Sequence, residues 1–234
     1  MRPSLGSGGD VVRHVHDLAR DGHRVLLGIT GAPGAGKTTF ADRLAALLRA
    51  SAPGGLHDDW VVRLPMDGFH LADCQLARLD RLARKGAPDT FDTAGYVALL
   101  ERLVLDRDET IYAPAFERDL EQPVAGSICV SPSTRVLITE GNYLLLADGG
   151  WERVREVLDE VWYLELDDAE RRRRLVARHE RFGKSKAEAR DWVNGTDERN
   201  AEMVAHTSAR ADLHVVSTVL DASGVVQPAT PRLS

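Results

Sequence analysis

One glycine-rich octapeptide has the residue types and spacing of a phosphate-binding loop. Residues 31–38 read Gly-Ala-Pro-Gly-Ala-Gly-Lys-Thr and match the pattern G-x-x-x-x-G-K-[S/T]. Small residues let backbone N–H groups surround phosphates, Lys37 can reach the β- and γ-phosphates, and the Thr38 hydroxyl can bind Mg²⁺. We therefore expect ATP and Mg²⁺ as cofactors. The expected nucleotide contacts are Gly31, Ala32, Pro33, Gly34, Ala35, Gly36, Lys37, Thr38 and Thr39.

An acidic residue follows each of two further apolar runs that read as strands. Asp67 follows Val61–Met66, and Glu140 follows Val136–Thr139 in the manner of a Walker B element. Ligands of open α/β sheets lie beyond the carboxyl ends of the strands, where both acids would meet the phosphate loop. Glu140 is then expected to hold the metal together with Thr38, and Asp67 to accept a proton from an attacking hydroxyl. Either acid alone is equally well explained as part of an ordinary turn.

A predicted helix at about Ala169–Phe182 is unusually rich in arginine. Arg174, Arg178 and Arg181 are spaced i, i+4, i+7 and so share one face. Such a helix is typical of a lid that brings guanidinium groups onto a transferring phosphate, and we expect Arg178 and Arg174 to be catalytic together with Lys37. The alternative is a solvated basic helix whose arginines pair with neighbouring glutamates.

Strands that alternate with helices predict an α/β fold of the three-layer P-loop NTPase type. It would have a five-stranded parallel sheet with helices on both faces, a β-hairpin excursion and the arginine-rich lid. Helical periodicity predicts helices at 10–19 (with Asp10 as N-cap), 72–83 and 94–105, and a single helix at 186–205. The expected organisation is a flexible N-terminus at 1–9, a kinase domain at 10–220 with the hairpin at about 107–133 and the lid at about 170–190, and a C-terminal tail at 221–234.

Composition excludes several classes of protein. The net charge of −6 argues against a protein that coats nucleic acid. Cys74 and Cys129 are too far apart for a C-x-x-C metal site, and no apolar run is long enough to span a membrane. We expect a cytoplasmic protein with a small hydroxyl-bearing substrate as its partner, and neither a nucleic acid nor a membrane. The sequence leaves open whether the chain forms a homodimer.

The order of four motifs resembles that of the uridine kinase, phosphoribulokinase and bacterial pantothenate kinase group. The motifs are the loop at 31–38, Asp67-Gly68-Phe69, the Lys-Gly-x-Pro segment at 85–92, and the apolar strand before Glu140-Gly141. The form of the second and fourth motifs is most similar to a branch described as nucleoside/nucleotide kinases or fructose-transport kinases. The resemblance implies that Asp67 is the catalytic base, that Glu140 supports the metal, and that Arg178 contacts phosphate.

The substrate of such an enzyme is less well indicated. Residues 111–119 lie where uridine kinases carry a hairpin over the acceptor, but they match neither the uridine nor the pantothenate pattern. A nucleoside, a pantothenate-like alcohol and a sugar therefore all stay open as acceptors. Candidate substrate contacts, besides Asp67, are His70, Tyr112, Arg118 and Asn142.

Two other functions are compatible with parts of the sequence. A nucleoside monophosphate kinase would need arginines around its acceptor, and Arg78, Arg81, Arg84 and Arg118 are available. A nucleotide-dependent switch would have a phosphate loop, but the guanine-binding pattern N-K-x-D occurs nowhere in the chain. The leading prediction is an ATP-dependent kinase that acts on an alcohol group.

Overall fold

Five parallel strands form the centre of the fold in this computed structural model, which describes residues 5–221. Their order across the sheet is β2-β5-β1-β6-β7, and every neighbouring pair is parallel. This confirms the predicted five-stranded parallel sheet. The strands are β1 (Val25–Thr30), β2 (Val61–Pro65), β5 (Val136–Glu140), β6 (Glu160–Glu165) and β7 (Leu213–Val216).

Helices cover both faces of the sheet because its strands are apolar on both sides. Leu26, Leu64 and Leu137 contribute to one hydrophobic core, which also contains residues of α4 and α5. The alternate residues Leu27 and Ile138 face a second core, formed with α1 and α2. The helices are α1 (Gly8–Leu18), α2 (Lys37–Ala50), α3 (Asp73–Arg78), α4 (Thr93–Leu105), α5 (Glu152–Val157), α6 (Asp168–Arg181), α7 (Lys186–Trp192) and α8 (Glu198–Ala205).

The predicted hairpin excursion is a separate two-stranded antiparallel sheet. It is formed by β3 (Ile111–Glu117) and β4 (Gln122–Val130). Ile111 and Ala113 are buried in the first core, so the hairpin is fixed to the body of the fold by one face. The hairpin thus lies over the turn that follows β2.

Three helix predictions differ from the structure. The first helix begins at Gly8 rather than Asp10, because the Ser7 side chain accepts the capping hydrogen bond from the backbone N–H of Asp10. The expected helix at 72–83 ends at Arg78, and Asp80 then adopts a positive φ of 54° that an α-helix does not permit. The third difference concerns the helix expected at 186–205 and is described below.

Residues 1–4 and 222–234 of the predicted flexible ends lie outside the described residues.

The single helix expected at 186–205 is interrupted by a π-helical turn at Val193–Asp197. This turn joins α7 to α8 without ending the helical course of the chain. A π-turn accommodates one extra residue, and such turns are frequent at functional sites.

Across residues 5–221, none of the helices combines the length and the apolar character that crossing a membrane requires.

Candidate functional site

The glycine-rich loop joins β1 to α2 at the carboxyl edge of the sheet. Gly36 is the N-cap of α2 and has a φ of 89°, which glycine adopts without strain. The Lys37 side chain turns back over the loop and donates hydrogen bonds to the carbonyl oxygens of Gly31, at 3.0 Å, and Ala32, at 3.2 Å. Only 8% of Lys37 is exposed. The ammonium group is therefore held inside the curve of the loop.

Glu140 lies next to this loop because of the register of the sheet. It pairs with Ile29 of β1 on one side and with Pro65 of β2 on the other. The Thr38 hydroxyl, in the first turn of α2, donates a hydrogen bond of 2.9 Å to Glu140 Oε1. The two residues predicted to hold a metal are thus in direct contact.

Asp67 follows β2 in a short 3₁₀ turn, Met66–Phe69. Glycine is needed after each of the two acids, at Gly68 and Gly141, because the packing there leaves no room for a side chain. The backbone angles of a turn are not the reason. A Cβ atom on Gly68 would lie 2.4 Å from the Pro114 carbonyl oxygen, and one on Gly141 would lie 2.5 Å from Met66 Sδ. Close backbone packing therefore brings the β2 turn against both the hairpin and the end of β5.

These elements surround one cavity of about 360 Å³. The loop residues Lys37 and Thr38 line it together with both acids, Asp67 and Glu140. Pro33 and Gly34 also line it, whereas Ala32 and Ala35 line a second cavity together with residues of β6, α6 and α8. Among the other expected nucleotide contacts, Gly31 is buried, Gly36 half-buried and Thr39 exposed on α2.

Burial and neighbouring charges shift the pKa values of Lys37 and Glu140 in this cavity. Burial lowers the pKa of Lys37 to about 8, although the negative charges of Glu140 and Asp67 oppose the shift, and Arg178 adds to it. Burial also raises the pKa of Glu140, and the nearby charge of Asp67 raises it further. A cation bound beside Glu140 would offset the burial and the repulsion that destabilise its charge.

The chemistry of the donor atoms fits Mg²⁺. Thr38 and Glu140 offer hydroxyl and carboxylate oxygens, which Mg²⁺ prefers. Within residues 5–221 no group of three or more His, Cys, Asp or Glu side chains is arranged to hold a metal ion. A site with few protein oxygens is usual where Mg²⁺ is bound by one or two side chains together with substrate phosphates and water.

The arginine-rich helix α6 packs directly on the loop, since a Cβ atom on Gly34 would lie 2.7 Å from Leu175 Cγ. Arg178 lines the cavity. Arg174 does not line it; its Nε donates a hydrogen bond of 2.7 Å to Glu170 Oε1, and its Nη1 lies 3.5 Å from the Cβ position of Gly36. Of the two arginines expected to act together, only Arg178 thus lines the cavity.

Arg171, in the first turn of α6, is buried and has a structural role. Only 2% of it is exposed, and its Nη2 donates a hydrogen bond of 2.8 Å to Glu198 of α8. Its Nε bonds to Asp168, and its Nη1 lies 3.5 Å from the Pro33 carbonyl oxygen. It joins the base of α6 to the phosphate loop and to α8.

Three of the four acceptor candidates besides Asp67 line the cavity: His70, Arg118 and Asn142. The fourth candidate, Tyr112, does not line the cavity, and its role as a substrate contact stays a prediction. Tyr112 is 62% exposed and lies outside the cavity, because residues alternate in β3 and its neighbours Ile111 and Ala113 take the buried face.

Several cavity residues were not predicted as site residues. Lys85 lines the cavity, and its Nζ donates hydrogen bonds to Asp73 Oδ1, at 2.7 Å, and to the Glu121 carbonyl oxygen. The rarity of lysine in the sequence could have pointed to Lys85. The chain has lysine only at 37, 85, 184 and 186, and the first three of these residues line the cavity. The other unpredicted lining residues are Gly86, Phe91, Glu121, Gly141, His179, Phe182, Lys184, Trp192, Thr196 and Asp197.

The arginines that a phosphate-bearing acceptor would need are mostly engaged elsewhere. Arg81 and Arg84 form ion pairs with Asp89, and neither lines the cavity. Arg78 contacts Gln75 on α3 and also lies outside the cavity. Only Arg118 of the four is at the cavity, which disfavours the monophosphate kinase alternative.

Comparison with known proteins agrees with this geometry. No protein-family model matches the chain. A Schizosaccharomyces pombe protein named provisionally as a uridine kinase is 34% identical over 181 residues, which cover 76% of this chain and 75% of that protein. The chain belongs to the uridine kinase-like family of P-loop kinases. The predicted family is thereby confirmed.

Solved structures are similar to this P-loop kinase over most of its length. A kinase from Silicibacter sp. TM1040, provisionally assigned to a fructose transport system, is 36% identical with a TM-score of 0.77, and the match covers 87% of this chain and 96% of that one. The Saccharomyces cerevisiae protein YFH7 has a TM-score of 0.76 at 19% identity over 89% of this chain and 97% of its own. At that identity the likeness of YFH7 shows the fold alone. ATP binding follows from membership of the kinase family.

Proposed function

We propose that this P-loop kinase transfers the γ-phosphoryl group of ATP to a hydroxyl group of a small metabolite. The observation that carries the proposal is the meeting of Lys37, Thr38, Asp67 and Glu140 at one cavity. A phosphate loop, an oxygen donor pair for a metal and a separate carboxylate are the parts that phosphoryl transfer to an alcohol requires. No other group of described residues combines these parts.

Asp67 is proposed as the general base. It accepts the proton of the acceptor hydroxyl while the hydroxyl oxygen forms a new bond to the γ-phosphorus. The bond between the γ-phosphorus and the oxygen that bridges it to the β-phosphorus breaks, and ADP leaves with the electron pair of that bond. The hairpin supports this role, because its Pro114 carbonyl packs against Gly68 and fixes the turn that carries Asp67.

Lys37, Arg178 and Arg174 are proposed to act on the triphosphate. Lys37 would exchange its hydrogen bonds to the loop carbonyls for bonds to phosphate oxygens, and Arg178 would place a guanidinium on the transferring group. Arg174 is proposed to contact the nucleotide on the outer side of Gly36. Bound Mg²⁺ supplies positive charge to the phosphate oxygens, and Thr38 and Glu140 are the residues that would hold it.

The acceptor is proposed to be a nucleoside, a pantothenate-like alcohol or a sugar, bound near His70, Arg118 and Asn142. The names of the relatives are consistent with the first and last of these classes. The pairing of Arg81 and Arg84 with Asp89 supports an alcohol rather than a nucleoside monophosphate as acceptor.

The test is a phosphorylation screen of a metabolite panel with ATP and Mg²⁺, read by mass spectrometry. Asp67→Asn is expected to bind ATP normally and to lower turnover of the best acceptor by about 10²–10⁴-fold, the usual contribution of a general base. Asp108→Asn, at an exposed acid outside the cavity, is the matched control. ATP hydrolysis that never depends on any added alcohol, or full turnover in Asp67→Asn, would contradict the proposal.

A further inference from the structure

Arg63 lies beside the two residues expected to hold the metal, on the face of the sheet that α2 covers. It is in β2, two residues after Val61, and Val61 belongs to the core formed with α2. Alternate residues of a strand share a face, so Arg63 points in the same direction. Glu140 is on this face of β5 for the same reason, because Ile138 also belongs to that core.

The guanidinium of Arg63 lies between two carboxylates. Its Nη1 donates a hydrogen bond to Asp42 Oδ1 of α2. Its Nη2 is 4.0 Å from Glu140 Oε1, the oxygen that accepts the hydrogen bond from Thr38. Asp42 and Thr38 are four residues apart in α2 and so lie on one side of that helix. The four side chains thus form a ring in which Arg63 connects the two acids.

The two acids differ in how much they need a neighbouring positive charge. The side chain of Asp42 is 55% exposed, so water stabilises its charge and its ion pair with Arg63 contributes little. The side chain of Glu140 is only 7% exposed, and a buried carboxylate is costly unless a cation lies near it. The charges of Lys37 and Arg63 both act on Glu140. Because Lys37 is bonded to the carbonyl oxygens of the loop, Arg63 is an important counter-charge for Glu140.

Arg63 is not fully hydrogen-bonded in this position. Its Nε is buried and makes no hydrogen bond to any residue within 5–221. An arginine has five N–H donors in a fixed planar arrangement, and a buried donor without a partner is unfavourable. The guanidinium is therefore held less firmly than one in which every donor is bonded. A small shift away from Glu140 and towards Asp42 costs it little.

Resting on the kinase function proposed above, in which Thr38 and Glu140 hold Mg²⁺, we propose that Arg63 is a positioning residue that sets the affinity of this site for the metal. Arg63 serves as the counter-charge of Glu140 when no metal is bound. It leaves Glu140 and pairs with Asp42 alone when Mg²⁺ is bound, because two cations beside one buried carboxylate repel each other. Arg63 thereby weakens the hold on the metal, and Asp42 limits this effect by taking up the displaced charge.

The charges predict opposite effects for the two partners in the ion pair. Loss of the positive charge of Arg63 removes a repulsion and should strengthen the contribution of Mg²⁺ to nucleotide binding. Loss of the negative charge of Asp42 leaves Arg63 with Glu140 as its remaining carboxylate partner and should weaken that contribution. An ion pair that only stabilised the fold would give changes of the same sign in both variants.

The experiment measures metal-dependent nucleotide binding and needs no acceptor. Calorimetry gives the dissociation constant of β,γ-imido-ATP, an analogue with a non-hydrolysable bond, in EDTA and in saturating Mg²⁺. The ratio of the constant in EDTA to that in Mg²⁺ is the contribution of the metal. Arg63→Gln should raise this ratio by about three- to tenfold, as expected for charges several ångströms apart with partial screening. Asp42→Asn should lower it by a similar factor.

Three further variants show whether charge is responsible. Arg63→Lys keeps the positive charge and should keep the wild-type ratio. The double variant Arg63→Gln/Asp42→Asn should match Arg63→Gln alone, because Asp42 acts through Arg63. Arg43→Gln, one position along α2, removes an arginine that pairs with Asp221 outside the cavity, and it should leave the ratio unchanged. Binding of the analogue in EDTA shows that each variant is folded.

The outcomes separate this inference from the kinase proposal. An unchanged or lowered ratio in Arg63→Gln, or changes of the same sign in Arg63→Gln and Asp42→Asn, overturns the role of Arg63 and leaves the kinase function standing. If the two ratios move in opposite directions but the metabolite screen gives no product, the role of Arg63 holds and the proposed reaction fails. If Mg²⁺ changes the binding of the analogue in neither the wild type nor any variant, the metal site and the role of Arg63 fail together.

Discussion

Thr38 donates a hydrogen bond of 2.9 Å to Glu140, and this contact joins the first turn of α2 to the end of β5. The two residues are 102 positions apart in the chain. The bond exists because β1 and β5 are neighbours in the sheet and the phosphate loop follows β1 directly. A hydroxyl and a carboxylate are thereby fixed together at the place where phosphate oxygens and a cation would meet.

The charge of Glu140 can be tested separately from its shape. Glu140→Gln retains an oxygen that accepts the Thr38 hydrogen bond but removes the negative charge. We expect kcat to fall by roughly a hundredfold or more, because support for the metal is worth several kcal/mol, and the Mg²⁺ concentration for half-maximal activity to rise. Both quantities come from a magnesium titration of the initial rate.

A matched control for Glu140 lies at the same edge of the sheet. Glu165 ends β6, but its carboxylate is bonded to His214 at 2.8 Å and lies outside the catalytic cavity. Glu165→Gln should keep the wild-type magnesium dependence. Equal losses in the two variants would show a general effect of charge rather than metal support.

Arg178 provides a test of the lid. Arg178→Ala should lower kcat by about 10²-fold, the usual effect of removing one donor that stabilises transition-state charge, with a smaller effect on ATP affinity. Arg181→Ala, on the same helix but exposed and outside the cavity, is the control and should be close to wild type. If the two variants lose the same activity, α6 acts as a basic surface and not through one guanidinium.

The packing between Gly68 and the hairpin leads to a prediction about stability. Gly68→Ala would place a Cβ atom 2.4 Å from the Pro114 carbonyl oxygen, so the hairpin must shift. We expect the free energy of unfolding to fall by about 1–3 kcal/mol, as in other overpacked sites, and KM for the acceptor to rise. Denaturant unfolding and kinetics measure the two effects.

Gly54→Ala is the control for this substitution, because a Cβ atom on Gly54 has no neighbour within 4 Å and its φ is not in the left-handed region. It should change neither the free energy of unfolding nor KM. A Gly68→Ala variant as stable as Gly54→Ala would mean that the hairpin does not rest on the turn that carries Asp67.

His70 should make the stability of the protein depend on pH. Its pKa in the folded protein lies below the unfolded value of 6.5, so the unfolded chain binds more protons as the pH falls through that range. The free energy of unfolding of the wild type should therefore decrease, relative to that of His70→Asn, when the pH is lowered from about 7.5 towards the folded pKa. Parallel denaturant titrations of the two proteins measure the difference, and a wild type that becomes more stable relative to His70→Asn as the pH falls would contradict the shift.

The central sheet and the phosphate loop follow from local sequence patterns. Residues 25–29 carry no polar side chain and, with Thr30, run directly into the glycine-rich loop, so strand, loop and helix could be placed from spacing alone. Glu140 could be placed beside the loop because parallel strands end at one edge. These features depend on neighbours in sequence and on general rules of sheet topology.

Features that depend on packing between distant segments could not be predicted. The face that β3 turns to solvent is decided by the core under the hairpin, and this is why Tyr112 is exposed and lies away from the cavity. Likewise, no local pattern distinguishes the buried Arg171 from the exposed Arg173 beside it. The π-turn at Val193–Asp197 also has no signal in the helical periodicity, which continues on both sides of it.

The anchoring of Arg171 has a mechanical consequence. Its guanidinium contacts Asp168, Glu198 and the Pro33 carbonyl at once, so the root of α6, the start of α8 and the phosphate loop move as one rigid piece. We expect a displacement that admits or releases a nucleotide to bend the chain farther along, between Leu175 of α6 and the positive-φ residue Gly183. The half of α6 that carries Arg178 would swing, while the half that carries Arg171 serves as its fixed pivot.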